Sequence, residues 1–162
     1  LKNVVAVRVH VAPGVKQVAK FSVPETPLQA KFSVEYCVAA ALTGQQLGAA
    51  DFTEALLRAP EVQRLMDRIE VVPEAGRKML DSAVDVELTD GSRVRGETAL
   101  SRGHPGNPLS WEELEAKFVD LSTPVLHEQT AVLFAALRNF DHPDAVRKVA
   151  VLLEASQKRL DG

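Results

Sequence analysis

Cysteine occurs once in this chain, as Cys37, which excludes an internal disulfide framework and a cysteine-cluster metal site. That usage suits a reducing compartment, and the expected location is cytoplasmic. No apolar run approaches the roughly 18 residues of a bilayer-spanning helix, so no membrane partner is expected. Basic residues are equally sparse as blocks. The 19 Lys and Arg are mixed with 22 Asp and Glu for a net charge of −3, and no basic run exceeds Lys158-Arg159, which argues against nucleic acid. The four histidines, His10, His104, His127 and His142, fall in four different segments without ligand spacing, and neither HExxH nor CxxC occurs. No metal and no cofactor are expected. The chain also lacks an initiator methionine: it opens on Leu1 in strand-like sequence, the mark of a piece of a longer polypeptide.

What is present is enough apolar residue, 46%, to build a core. Residues 4–11 alternate valine with Ala6, Arg8 and His10, the period-two pattern of a half-buried strand that Pro13-Gly14 ends. Thr26, Pro27 and Gln29 then read as N-cap, first helical residue and capping-box partner of a helix running to Gly44. Asp51 with Glu54 repeats the start signal, and Pro60 splits the segment that follows into two short helices. Strands are expected at 69–72, 83–89 and 92–98, the last two joined by Asp90-Gly91 as a type I′ hairpin. Ser110 and Glu113 cap a helix over 111–121, and two more helices start at Thr123-Pro124 and near Asp141 to Pro143.

This order gives an α+β fold: a two-layer domain over residues 1–121, with a mainly antiparallel sheet covered by helices, and a C-terminal helical pair over 122–162.

Chemistry is thinly signalled. On a continuous helix Phe32 and Tyr36 lie roughly 40° apart and Ser33 roughly 60° from Tyr36, so Ser33 and Tyr36 face one space. Tyr36, the only tyrosine, is then either a proton donor at an apolar wall or a buried ring whose hydroxyl reaches a backbone carbonyl. Lys31 and Glu35 read as a solvated i,i+4 pair, and Cys37 as core packing. "GHPGNP" at 103–108 shapes a rigid turn that leads to Ser110 but lacks the spacing of a phosphate loop. No nucleophile with its base can be picked out.

Two stretches add to this: "QAKFSVEYCVAAALTG" at 29–44 and "GHPGNPLSWEELEAKF" at 103–118. Together with "VQRLMDRIEV" and "VELTDGSRV" between them, they resemble the C-terminal part of the MmgE/PrpD family over essentially the whole chain. That family includes 2-methylcitrate dehydratase, cis-aconitate decarboxylase and iminodisuccinate epimerase.

The resemblance implies the lid half of a lyase or isomerase that moves protons beside the carboxylates of small di- or tricarboxylic acids, without a metal. It implies a homodimer and an N-terminal helical domain of the same protein as partner, which the last helices would join. By position in the motifs, Tyr36 is the implied catalytic residue, and Lys31, Ser33 and His104 are the implied substrate-binding residues. The other acid and base groups would lie outside this chain, so the chain alone would be inactive. The rival reading is a non-catalytic interaction module that keeps the lid fold.

Overall fold

The structure, a computed structural model, describes residues 3–160, with side chains as far as Glu154. Leu1, Lys2, Asp161 and Gly162, the outer ends of the two expected domains, lie outside the described residues, as do the side chains of Lys158 and Arg159. The chain divides into two compact units, Leu1–Pro108 and Leu109–Gly162. The helix expected to close the first domain therefore belongs to the second unit.

The first unit is α+β. Strand β1 (Val4–Val11) is followed by five short helices, α1 (Val15–Val18), α2 (Pro27–Ala30), α3 (Val34–Leu42), α4 (Glu54–Leu57) and α5 (Pro60–Met66), then β2 (Ile69–Pro73), β3 (Ser82–Leu88) and β4 (Arg93–Thr98). The strand order is β2-β1-β3-β4. β1 pairs parallel with β2 and antiparallel with β3, and β3 pairs antiparallel with β4. A parallel neighbour needs a long crossover, which the helical stretch between β1 and β2 supplies.

Register explains the two faces. Val7 lies opposite Ile69 and Val86, and Val9 opposite Val71 and Val84, so one face is continuously aliphatic. It joins a core with Tyr36, Ala39 and Ala40 of α3 and Val62, Leu65 and Met66 of α5. On the other face Arg8 pairs with Glu70, and His10 with Asp85. Valine alternation thus chooses which side the helices cover.

Several local expectations need correction. The helix expected from Pro27 to Gly44 is broken at residues 31–33. In an unbroken helix the Tyr36 amide would donate to the Phe32 carbonyl. Here Ser33 Oγ accepts from that amide at 3.1 Å, and the Phe21 amide donates to the Phe32 carbonyl at 3.2 Å. Serine competing for the backbone makes a new N-cap. At Thr26 the hydroxyl does accept from the Gln29 amide, but the Gln29 side chain accepts from the Glu25 amide rather than closing a capping box.

The second start signal is displaced. Asp51 Oδ2 accepts from the Gly48 amide within a short 3₁₀ turn, and Thr53 Oγ1 caps α4 by accepting from the Leu56 amide. The hairpin also differs. Gly91 alone takes a positive φ, its amide donates to the Leu88 carbonyl, and the Leu88 amide donates to Ser92. That is a three-residue loop of type I turn plus left-handed glycine, not a type I′ turn.

The second unit is helical: α6 (Trp111–Leu126), α7 (Thr130–Arg138) and α8 (Ala145–Leu160). Ser110 and Glu113 form the expected reciprocal cap. α6 runs through Thr123-Pro124, where a new helix was expected. The Thr123 hydroxyl donates to the Val119 carbonyl at 2.7 Å and the Ser122 hydroxyl to that of Phe118, binding side chains to the turn that the proline weakens. The break comes instead at His127, with φ of 49°.

Among the described residues, no helix is long and apolar enough to cross a membrane.

Candidate active site

Tyr36 is the third residue of α3, and its backbone is fixed by the Ser33 cap one turn earlier. The side chain is 0% exposed. Its hydroxyl donates to the Asp51 carbonyl at 2.5 Å, and its ring lies 5.7 Å from that of Phe52. Burial first, then the neighbouring Cys37 and Asp51, push the phenol above its ordinary pKa. A phenol so placed stays protonated at neutral pH and is a donor, not a base.

Lys31 joins the same cluster. It stands at the end of α2, and its ammonium lies 5.6 Å from the Phe52 ring centroid. Lys31 and Tyr36 thus both lie near the Phe52 ring, an arrangement that the expected Lys31–Glu35 pair did not foresee.

Glu35 instead pairs with Lys16 of α1 at 2.8 Å, and the same ammonium donates to Ser22 at 2.9 Å. Glu35 is 6% exposed, and its Oε2 has no hydrogen-bond partner among the described residues. The solvated pair is therefore replaced by a buried one that ties the segment after β1 to the first turn of α3. Nothing in the local spacing pointed to Lys16 or to Phe52.

Ser33 is 2% exposed and spends an oxygen lone pair on the helix cap. It does not share a helical face with Tyr36, because it precedes the helix. Cys37 packs as expected: burial pushes its thiol up, and Sγ lies 3.8 Å from the Ala30 carbonyl.

His104 is held inside its own loop. Its Nδ1 accepts from the Gly106 amide at 3.0 Å, so in the neutral ring the proton sits on Nε2 and remains available to donate. A Cβ on Gly106 would meet Leu100 Cδ1 at 2.8 Å, so a larger residue there would displace the end of that side chain. Among the described residues no hydrogen bond or ring contact links His104 to Tyr36 or Lys31. No group of three or more His, Cys, Asp or Glu side chains among them is arranged to hold a metal ion.

The chain matches the MmgE/PrpD C-terminal domain over residues 1–141, and it belongs to that family. No curated protein matches it.

Proposed function

We propose, from this membership, that the chain is the lid portion of a lyase or isomerase acting on small di- or tricarboxylic acids, in the manner of 2-methylcitrate dehydratase. The observation that carries the reading is the family match over residues 1–141, joined at the site by a protonated phenol and an ammonium that each lie near the Phe52 ring. Tyr36 would act as general acid, returning a proton to the carbanion-like carbon or to a leaving oxygen. Lys31 and the Nε2–H of His104 would bind substrate carboxylates, and Ser33 would hold the turn that aims Tyr36. Proton abstraction would fall to groups of an N-terminal helical domain, in a cytoplasmic homodimer that needs no metal.

One observation favours the rival. The Tyr36 hydroxyl is buried and already donates to the Asp51 carbonyl, as it would in a non-catalytic interaction module. For catalysis the 49–52 segment must give way when substrate binds.

Water addition and elimination on 2-methylcitrate, and carbon dioxide release from cis-aconitate, provide the test. The chain alone should show no turnover, since one phenol cannot both abstract and return protons. With the N-terminal domain present, Tyr36→Phe should lower kcat by about 10²-fold or more. Unchanged kcat would remove Tyr36 from the chemistry and leave the interaction module.

A further inference from the structure

His10 lies on the charged face of the sheet, outside the Tyr36 cluster, and its ring is gripped from both edges. Nδ1 is 2.6 Å from Glu74 Oε1, in the loop that follows β2, and Nε2 is 2.8 Å from Asp85 Oδ2 of β3. Ionised carboxylates only accept. Both contacts are therefore hydrogen bonds only when both ring nitrogens carry protons, that is, for the imidazolium. A neutral ring would turn one lone pair towards a carboxylate at under 3 Å.

The surroundings sharpen this requirement. From the loop, Arg77 donates to Glu74 at 2.6 Å and to Asp81 at 2.5 Å, and lies 3.4 Å from Glu97 of β4. From β4, Arg95 donates to Asp85 at 2.7 Å. On β1 itself, Arg8 is turned to Glu70 of β2. Around His10, then, four carboxylates (Glu74, Asp81, Asp85 and Glu97) meet two guanidiniums, and the imidazolium supplies the third positive charge. Glu74 is also the residue whose amide donates to the Val11 carbonyl where the loop leaves the sheet. Further along, Met79 Sδ would lie 3.0 Å from a Cβ placed on Gly14, so the loop rests on the turn that opens α1.

We propose that His10 is a proton-operated latch that fastens the 74–81 loop to the sheet. With both ring protons present it bridges Glu74 to Asp85; with one lost, one arm opens and the side-chain bridge between loop and sheet is broken.

The direction with pH follows from which partner titrates. The latch needs both ring protons, so its contribution is full where the imidazole is charged and is lost on the alkaline side, where one ring nitrogen turns a lone pair to its carboxylate. It also needs charged carboxylates. The Arg77 hydrogen bond holds Glu74, and the Arg95 hydrogen bond holds Asp85, below the usual carboxylate range. Their contribution is accordingly present above that range and fails only as pH falls through the lowered values. The latch is closed between those limits.

Amide exchange on the full chain, divided by the intrinsic rate at each pH, tests this. Between about pH 5.5 and pH 8.5, protection of the Arg77 and Asp81 amides should fall about tenfold, the equivalent of one charge-assisted hydrogen bond. The β1 and β3 amides should not follow. His10→Gln, which cannot gain the second proton, should flatten the response. Glu74→Gln, at a half-exposed position that leaves the sheet intact, should flatten it as well. Loop protection that ignores pH in the natural chain, or that keeps its full pH response in either variant, would overturn the proposal.

Discussion

The two units spend their apolar residues differently. In the first, the aliphatic face of β1 to β3 is closed by α3 and α5, and Val7, Tyr36, Ala39 and Ala40 are wholly buried. In the second, the buried set among the described residues is Leu133, Phe134, Ala145 and Thr130, while Leu121, Val125, Val132, Phe140, Val146 and Val151 are each about half exposed. A sheet offers a broad face that several helices can cover together. Three helices joined by short turns bury one seam and leave their outer stripes in solvent. The first unit is therefore expected to carry most of the stability of the chain, and the second to open first.

The seam of the second unit is where this contrast breaks most readily. Phe134 packs at 5.4 Å from Phe118 and edge-on at 6.4 Å from Trp111, with Arg138 5.1 Å from the Trp111 ring. Phe134→Ala should cost about 3 to 5 kcal/mol, more than so small a core can lose. Amides of α6 to α8 should then exchange at unfolded rates while those of β1 keep their protection. Equal loss in both units would show that they unfold as one body.

A smaller effect is expected inside the first unit. Tyr36→Phe keeps the ring against Phe52 but strands the Asp51 carbonyl, so stability should fall by about 1 to 3 kcal/mol. Thermal melts of the two proteins give the value. No loss would mean that the carbonyl finds another donor and that the phenol is free to serve a ligand, which favours the catalytic reading.

The smallest expected effect has the opposite sign. His127 holds a backbone that side chains disfavour, with φ of 49° and ψ of −126°. Its amide donates to the Thr123 carbonyl and its carbonyl accepts from the Thr130 amide and hydroxyl, backbone bonds that a glycine would keep. His127→Gly should stabilise the second unit by up to about 1 kcal/mol, read as a higher Tm for its helices. A lower Tm would mean that the imidazole itself holds the turn between α6 and α7.

Much of this architecture was written in local signals. Valine alternation placed β1 and, from Val7 to Val11, its buried face, while a register shift between Val4 and Ala6 turns Val5 outward; Pro60 began α5, and Ser110 with Glu113 began α6, because each is decided by neighbours within a few residues. The motifs at 29–44 and 103–118 carried the family. Tertiary structure decided what those signals left open. Ser33 ended one helix and began another because Phe21, twelve residues away, claimed the Phe32 carbonyl. Glu35 found Lys16 rather than Lys31, and Tyr36 found the Asp51 carbonyl, because the helices pack and bring together groups 15 to 19 residues apart. The His10 cluster spans |i−j| of 64 and 75. Such contacts have no period to read: hydrogen-bond demand is local to each residue, but which partner meets it depends on the chain's return path.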